Sequence, residues 1–298
     1  MRKGALVVNA DDLGVSKGAT LGIVRAHREG IVTSASLAAT TSSYQHAIDT
    51  CVRTCPDLGI GLHFTLTSGK PVAPVRDVPR LVDADGFLRW RFMPLLAAVS
   101  GSNASALLAQ IDLELEAQLA RLRADGIRPD HVNGERHVHL IPAIFDRVVE
   151  AARRHRVPFV RVGRDMGNRF LTLSHSVVLL ANGGIIKSGL LSAFSARNRR
   201  HLADVSTTDR FASYLYSGRP DLFLNALLKD GPLDGVTEVM VHPGIPEESR
   251  GVALGNQELE RYVGSQDRRR ELDACIEART LASAWTMTNF RALAAIQS

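Results

Sequence analysis

The chain has 298 residues, 45% of them apolar, so it can form a large core, and a single (β/α)-barrel domain fits this length. Its formal net charge of +5 is not gathered in a tail or in a basic stripe with interleaved aromatic residues, which disfavours a nucleic-acid-binding protein. An anionic substrate or an anionic membrane surface remains compatible with this charge.

The few cysteines and the short N-terminal apolar run indicate a cytoplasmic enzyme. Cys51 and Cys55 lack a second pair that would complete a zinc site, so we expect reduced thiols there and at Cys275. The apolar run ALVV is too short for the core of a signal peptide, and two aspartates follow shortly after it. We therefore expect a cytoplasmic location.

Short apolar runs rich in Val, Ile and Leu alternate with segments of helical periodicity along the chain. The predicted strands are ALVVNADD (5–12), IVTSASLAAT (31–40), GIGLHFTLTSG (59–69), PDHVNGERHVH (129–139), PFVRVGRD (158–165) and GVTEVMVHPG (235–244). The predicted helices include a segment after Gly14 that carries Ile23 and Val24, and the ranges 44–55, 105–123, 144–155 and 271–284. This alternation predicts a parallel sheet with right-handed crossovers, in one domain that spans 1–298.

We expect a helical or lid insertion around residues 165–230. Residues 171–194 are largely apolar, but His175, Asn182, a Gly-Gly pair and Lys187 interrupt them, which argues against a membrane-spanning helix. A helical hairpin or a lid over the site is one interpretation. The other is a surface that touches a membrane or a lipid-linked substrate, because three arginines follow this apolar stretch, at 197, 199 and 200.

Polar residues fall at or just after the ends of five predicted strands. They are Asp11 and Asp12, His63, the cluster from Glu135 to His139, Arg161 with Arg164, and His242. In a closed or nearly closed barrel these strand ends converge on one face, where such folds build their sites. An open doubly wound sheet would gather fewer of them at one crevice, so the pattern favours the barrel.

Taken singly, these residues have ordinary structural interpretations. An Asp pair after a strand is common at turns and helix N-caps, and a lone histidine on an apolar strand is usually a hydrogen-bonded core residue. Taken as a set, they match the ligands of a divalent ion. Because successive strand residues point in opposite directions, one carboxylate of the pair could bind the ion while the other reaches a reacting water.

Five motifs, in this order, resemble those of YdjC/ChbG-type carbohydrate deacetylases, a family that includes a hopanoid-biosynthesis-associated branch. They are NADDLGVSKG (9–18), GIVTSASL (30–37), GLHFTLTSGKPV (61–72), HVNGERHVHLIP (131–142) and EVMVHPG (238–244). The resemblance runs from residue 5 to about 245 and is weakest across the insertion. It implies a distorted TIM-like (β/α) barrel that removes an N-acetyl group from an amino sugar with one divalent metal ion, either Mg²⁺, Mn²⁺ or Zn²⁺.

The resemblance also implies roles for individual residues. Asp12 and His63 correspond to metal ligands, and Asp11 corresponds to the general base. The third ligand of the family is a histidine in an H-x-D-S-H-x-H-x-H run, and this chain has Glu135 at that position, preceded by Asn133-Gly134 instead of Asp-Ser.

This departure leaves three outcomes open. Glu135 binds the metal itself; or His131, His137 or His139 replaces the missing imidazole; or the metal is lost and the protein is a non-catalytic relative. With Glu135 as a ligand, the site carries one more negative charge, which shifts its preference from zinc toward Mg²⁺ or Mn²⁺. We expect Glu135 to bind the metal.

The remaining roles are those of an amide hydrolase. Asp11 accepts a proton from water and His242 donates one to the leaving amine. Arg161 or Arg164 stabilises the oxyanion, or binds substrate together with Arg136, His137 and His139. The substrate is an N-acetylated sugar or sugar conjugate, with peripheral membrane contact and a homodimer left open. The alternatives are a sugar-binding relative without turnover, or a barrel sugar isomerase or phosphate-ester hydrolase, although isomerases usually need a lysine or a second metal and no strand-end lysine is evident.

Overall fold

A parallel sheet is the framework of the protein. The computed structural model describes residues 4–166, 184–212 and 223–297. Along the sheet the strand order is β5-β4-β3-β2-β1-β8-β7-β6, and β9 pairs with β1; every strand pair is parallel. The strands are β1 Ala5–Leu13, β2 Ser34–Leu37, β3 Gly59–Phe64, β4 His131–Gly134, β5 Phe159–Val160, β6 Arg164–Asp165, β7 Arg210–Ala212, β8 Val236–Val241 and β9 Thr286–Met287.

Helices connect the strands, as the alternating pattern predicts. They are α1 Lys17–Arg28, α2 Tyr44–Ala47 (continued by a π-helical turn, Ile48–Val52), α3 Phe92–Ser100, α4 Ala104–Ala124, α5 Pro142–His155, α6 Gly184–Asn198, α7 Leu224–Asp230, α8 Gln257–Val263, α9 Gln266–Glu277 and α10 Phe290–Gln297. The predicted helix at 271–284 is in fact α9, which begins five residues earlier, and a separate 3-10 turn at Leu281–Ala284.

Helix α4 shows how the sequence pattern becomes packing. Its residues Leu107, Ile111, Leu115, Leu119 and Leu122 are spaced by three or four positions, and all are buried in the main core. Residues at this spacing share one face of a helix. A fully buried leucine or isoleucine contributes about 1.5–3 kcal/mol relative to an exposed one, so this face holds the helix against the sheet.

The sheet curls into a distorted barrel, and the predicted fold class is confirmed. The predicted strand at 158–165 is divided into β5 and β6, which lie at the two ends of the strand order and are joined only by residues 161–163. Phe159 of β5 also forms a parallel bridge with Ser206, in the segment that leads to β7. The two ends of the sheet are thus brought together, and the carboxyl ends of its strands converge.

The segment around 165–230 is only partly described. Residues 167–183 and 213–222 lie outside the described residues, so the lid or hairpin expected there stays a prediction. The described part contributes two strands to the sheet, β6 and β7, and helix α6, which packs against α5. Among the described residues, no helix combines the length and the apolar character needed to cross a membrane.

Candidate active site

A cleft opens at the carboxyl ends of β1, β3, β4 and β8, where the sequence predicts the site. Its volume is about 390 Å³. Seven of the ten predicted site residues line it, together with four residues from β8 and α8. The full set is Asp11, Asp12, His63, Glu135, Arg136, His137, Met240, His242, Glu258, Leu259 and Tyr262.

The two aspartates of β1 face the same cleft, so the expectation that they point in opposite directions is wrong. The register of β1 against β2 shifts between Ala10 and Leu13, and Asp12 has a left-handed backbone with φ of 71°. An extra residue at such a bulge turns the following side chain to the other face of the strand. The irregularity therefore places both carboxylates at the site. It also stores backbone strain, which is common at functional positions.

Asp11 accepts four hydrogen bonds, three at Oδ1 and one at Oδ2. Its Oδ1 accepts from Asn9 Nδ2 at 2.8 Å, from Asn133 Nδ2 at 3.0 Å and from Arg161 Nη2 at 2.7 Å, while its Oδ2 accepts from Arg161 Nη1 at 2.6 Å. Burial alone would raise the pKa of this carboxyl, but the Arg161 guanidinium holds it well below its usual range. Asp11 is therefore a fixed carboxylate.

Arg161 contacts Asp11 and not the open cleft. Its side chain is fully buried, and its Nε donates to Glu238 Oε1 at 2.7 Å, so one guanidinium lies between two carboxylates. Burial would lower the pKa of Arg161, but Asp11 and Glu238 raise it. The structure therefore gives Arg161 a place beneath the site. Arg164 lies on β6, and its side chain is outside the described part of the structure.

His63 and Asp12 line the same cleft as Asp11 and face each other. Asn133 donates its amide hydrogens to Asp11 and Ser36, so its Oδ1 is the atom that faces His63 Nδ1 at 2.7 Å and accepts from it. This contact leaves His63 Nε2 pointing at Asp12 Oδ1, 3.2 Å away. Burial disfavours the charged ring, but Asp12 and Asp11 raise the pKa of His63 to about 9. The gap between Nε2 and Oδ1 is thus a place that favours a positive charge.

The other oxygen of Asp12 is held by Arg268, which is not among the predicted site residues. Arg268 Nη2 on α9 donates to Asp12 Oδ2 at 2.5 Å, and both side chains are buried. Burial would raise the pKa of Asp12, but Arg268 and His63 hold it well below its usual value. Asp12 is therefore ionised, with Oδ1 directed toward His63.

Glu135 begins the irregular turn that follows β4. Its Oε2 accepts from Thr67 Oγ1 at 2.5 Å and from Ser68 Oγ at 3.0 Å, while its buried Oε1 has no hydrogen-bond partner. Burial raises the pKa of this carboxyl, the Thr67 hydroxyl opposes the shift, and the nearby Asp12 carboxylate adds to it. An unpartnered buried oxygen in a cleft is costly without a ligand, so Glu135 can receive a proton or a cation.

The three histidines of the 131–139 cluster lie in different places. His137 lines the cleft next to Arg136, and both residues have a left-handed backbone, with φ of 63° and 52°. His139 lies behind them: its Nε2 donates to the Arg161 carbonyl at 3.0 Å, and burial lowers its pKa to about 3. His131 points away, toward Ser36 and Asp130. Of the candidate replacement ligands, only His137 reaches the cleft.

His242, directly after β8, lies on the opposite side of the cleft from β3 and β4 in the strand order. Its backbone N–H donates to Glu271 Oε2, and its Nδ1 is 3.5 Å from Glu271 Oε1. Its ring also packs edge-on against Tyr262, with centroids 5.8 Å apart. Because Nδ1 faces Glu271, Nε2 is the nitrogen left for a bound molecule.

The donors at this site suit a divalent ion. Two neighbouring ligand atoms on an ion with bonds of about 2.1 Å lie roughly 3 Å apart, and Asp12 Oδ1 and His63 Nε2 are 3.2 Å apart. The unpartnered oxygen of Glu135 is a third anionic donor in the same cleft. Within the described ranges, however, no three His, Cys, Asp or Glu side chains are already gathered as a complete ligand group. The donor chemistry fits a divalent ion, with Asp12 Oδ1 and His63 Nε2 at the spacing of two ligand atoms and Glu135 as a candidate third donor.

Arg268 and Glu271 are not among the predicted site residues, although the sequence contains a signal for them. In α9 the buried residues are Arg268, Glu271, Leu272 and Cys275, which follow the spacing of one helical face. Two charges on an otherwise apolar face indicate buried partners. Glu238 gives the same signal, because it interrupts the buried strand β8.

Comparisons with known proteins agree with the motifs. The model of the family described as YdjC-like protein matches residues 5–284. A carbohydrate deacetylase of Brevibacillus brevis is 34% identical over 247 residues, which cover 82% of this chain and 83% of that protein. A chitooligosaccharide deacetylase of Proteus mirabilis is 38% identical over 161 residues, or 53% of this chain and 59% of its own.

A solved structure from Enterococcus faecalis, named for cellobiose-phosphate cleavage, has the same fold. It superposes with a TM-score of 0.72 at 23% identity and covers 97% of this chain and 98% of its own. At this identity the likeness concerns the fold alone, and it extends across the whole barrel.

Proposed function

The chain belongs to the YdjC-like family, and from this premise we propose that it removes an N-acetyl group from an amino sugar or a sugar conjugate with the help of one divalent metal ion. The names of its relatives support the sugar and the deacetylation. The observation that carries the proposal is the cleft itself, where a guanidinium-paired carboxylate, Asp11, lies beside the Asp12–His63 pair.

In this proposal Asp12, His63 and Glu135 would hold the ion. When bound, it would supply Lewis acidity toward the acetamide carbonyl and toward water. Arg268 fixes which oxygen of Asp12 is available, and Asn133 fixes the tautomer of His63. Glu135 adds a negative charge in place of a neutral imidazole, so we expect Mg²⁺ or Mn²⁺ to compete well with Zn²⁺.

Asp11 and His242 would move the protons. Asp11 stays ionised because of Arg161, and an ionised carboxylate is the form that accepts a proton from water. In its doubly protonated form, His242 would give a proton to the departing amine from Nε2 and would be left as the Nδ1-protonated tautomer, with Nδ1 facing Glu271. Arg136 and His137 line the same cleft and are positioned to contact the sugar.

Acetate release tests this function. Metal-reconstituted protein is incubated with N-acetylhexosamines and their short oligomers, and the variant Asp11→Asn is compared with it. Loss of a general base typically lowers the rate by about 10²–10⁴-fold, which is the expected result. The control is Asp125→Asn, since Asp125 accepts from Tyr44 at 2.7 Å away from the cleft. Equal acetate release by the wild-type protein and Asp11→Asn would refute the catalytic proposal.

The same assay tests whether a lipid carrier on the sugar matters, by comparing free with lipid-linked substrates. Of the three arginines after the apolar segment, Arg197 pairs with Asp146, and Arg199 donates to the carbonyls of Val162 and Thr208. Two of the three are thus engaged within the protein, which weakens the case for a lipid surface. We propose that the protein recognises the sugar part of its substrate, and we expect similar kcat/KM values for the free and the lipid-linked substrate.

The second candidate is a sugar-binding relative without turnover. The observation behind it is that Arg268 occupies one oxygen of Asp12 and that no complete three-residue ligand group is assembled in the described residues. Elemental analysis of protein purified without chelator separates the two candidates. A stoichiometric divalent metal supports the deacetylase, and its absence, together with sugar binding and no acetate release, supports the second candidate.

A further inference from the structure

Two charged residues on α9 are buried beside the site. Arg268 and Glu271 are each 1% exposed, and they share the face of α9 that also carries Leu272 and Cys275. A buried charge lowers stability by several kcal/mol unless it is paired and hydrogen-bonded, and apolar residues of similar size are often as stable. The partners of these two residues therefore indicate why charges are present on this face.

Glu271 accepts a hydrogen bond from the backbone N–H of His242, and its second oxygen lies at an ion-pair distance of 3.5 Å from the ring nitrogen Nδ1, which has no hydrogen-bond partner. The second oxygen also accepts from Tyr262 Oη at 3.1 Å. Burial alone would raise the pKa of this carboxyl, but His242 holds it below its usual value. A fixed negative charge thus lies beside one nitrogen of a histidine whose ring lines the cleft.

Arg268 makes the corresponding contacts on the other side of the site. Its Nη2 donates to Asp12 Oδ2 at 2.5 Å, and its Nη1 donates to the His242 carbonyl at 3.4 Å. Its guanidinium carbon stacks over the Tyr262 ring, 4.2 Å from the centroid. The main chain of α9 is tied in as well, because Gly244 N–H donates to the Arg268 carbonyl at 3.0 Å. One helical turn therefore contacts both Asp12 and His242.

We propose that Glu271 is a positioning residue that fixes the tautomer and orientation of His242, with its proton on Nδ1 and Nε2 directed into the cleft, while Arg268 anchors the same turn to Asp12. The kinetic part of this inference rests on the proposed deacetylase function. The structural part does not, because the tautomer of His242 is a property of the resting protein.

The physical reason is electrostatic. A neutral imidazole carries one proton, and a carboxylate near Nδ1 favours the tautomer that has the proton there. A ring held in this way exposes the same nitrogen to every bound molecule, which is the requirement for a group that exchanges a proton with substrate. Without Glu271 both tautomers become accessible, and the ring can rotate toward the cleft.

The test measures the tautomer directly. Protein labelled with ¹⁵N in its ten histidines is examined by two-bond ¹H–¹⁵N correlation, and the His242 pattern is identified by its loss in His242→Gln. The wild-type pattern is expected to be that of an Nδ1-protonated ring. In Glu271→Gln we expect it to shift toward the Nε2-protonated or averaged pattern. Glu271→Asp keeps the carboxylate on a shorter side chain, so we expect a partial shift, smaller than that of Glu271→Gln.

Kinetics provide the second readout. A lost orienting partner typically costs about 10–100-fold in activity, and we expect this loss in kcat for Glu271→Gln, with KM changed by less than about twofold. The matched control is Glu114→Gln, another buried carboxylate, which accepts from the backbone of Val72 and Ala73 and from Gln118. Both variants remove a buried charge, but only Glu271→Gln is expected to move the His242 pattern.

Each outcome decides the proposal. An unchanged His242 pattern in Glu271→Gln overturns it, and so does an equal shift in Glu114→Gln, because the effect would then be a general loosening of the fold. If no deacetylase activity is found, the proposed function fails, while the spectra still decide whether Glu271 positions His242. If Glu271→Gln does not fold, the same spectra and kinetics are measured on Glu271→Asp. A partial shift of the His242 pattern and a partial loss of kcat are then expected, and wild-type values for both would overturn the proposal.

Discussion

The two walls of the cleft differ in how their charged side chains are paired. One wall, formed by β1, β8 and α9, is called here the paired wall: Arg161 holds both oxygens of Asp11, and Arg268 holds one oxygen of Asp12. The other, the turn wall, is the 3-10 segment Glu135–Leu140 after β4. In it, Glu135 Oε1 lies in the cleft without a hydrogen-bond partner, whereas the unpartnered atoms Glu238 Oε2 and Arg268 Nε behind the paired wall belong to side chains held in ion pairs.

The backbone shows the same difference. Arg136 and His137 both have positive φ, so the turn wall stores strain at two consecutive non-glycine residues, whereas the paired wall has positive φ at Asp12 only. Strain and open hydrogen-bonding capacity persist where a ligand supplies the missing contacts. We therefore expect the paired wall to be preorganised and the turn wall to be completed when a ligand binds.

The largest loss of stability is expected when Arg161, the partner of both Asp11 and Glu238, is replaced. Arg161→Met leaves Asp11 and Glu238 buried without their shared partner, which should lower the free energy of unfolding by about 3–5 kcal/mol. Arg136→Met removes an arginine from the turn wall, whose pair with Glu258 is partly exposed, and should cost less than about 1 kcal/mol. Urea denaturation measures both, and similar losses would contradict the distinction between the walls.

The second prediction concerns the pH dependence of stability, through His139 of the turn wall. Burial and the Arg161 charge lower the pKa of His139 to about 3, from 6.5 in an unfolded chain. Between these values the unfolded chain binds more protons, so stability is lost as the pH falls below about 6.5. The slope reaches about 1.4 kcal/mol per pH unit, or about 2 kcal/mol at pH 5.

His139→Gln tests this slope, because glutamine can still donate to the Arg161 carbonyl but does not titrate. We expect the variant to lose less stability than the wild-type protein between pH 7 and pH 5, by about 2 kcal/mol, in denaturation experiments at each pH. If stability falls equally with pH in the two proteins, His139 is protonated in the folded protein at little cost in free energy, and the prediction is wrong.

A smaller effect is expected in metal binding. Glu135→Gln should weaken binding of Mn²⁺ by at least about tenfold, or about 1.4 kcal/mol, since even an indirect partner of a metal ligand is worth this much. Glu135→His should restore binding and favour Zn²⁺ over Mg²⁺. Isothermal titration calorimetry measures both, with Asp125→Asn as the control. Unchanged affinity in Glu135→Gln would mean that the third ligand comes from another residue.

The smallest change in stability is expected at Glu258, a partly exposed residue of the cleft. Glu258→Gln removes the ion pair with Arg136, in which the nitrogen and oxygen are 3.1 Å apart and the glutamate side chain is 56% exposed. Its effect on stability should be below about 1 kcal/mol and should shrink further in high salt. Thermal melts at low and high salt measure it. A loss as large as that of Arg161→Met would place this pair in the preorganised part of the site.

The fold was predictable because its signals are local. Strand and helix periodicity, with polar residues after each strand, is enough to bring Asp11, His63, Glu135 and His242 to one end of the sheet. What was not predictable depends on contacts distant in sequence. The bulge at Asp12 requires the register of β1 against β2, and the partner of Asp12 lies 256 positions away, in α9. The separation of the three histidines likewise follows from the left-handed turn after β4, which no periodicity indicates.

The position of Arg161 has a consequence for how the protein folds. This residue lies in the three-residue link where the two ends of the sheet meet, yet its partner Asp11 on the central strand is 150 positions earlier in the chain. Contacts this distant in sequence form late, because a long loop must close before they are made. The carboxylate proposed as the base thus acquires its final charge environment only when the barrel closes. We therefore expect refolding protein to regain helical signal before it regains any activity.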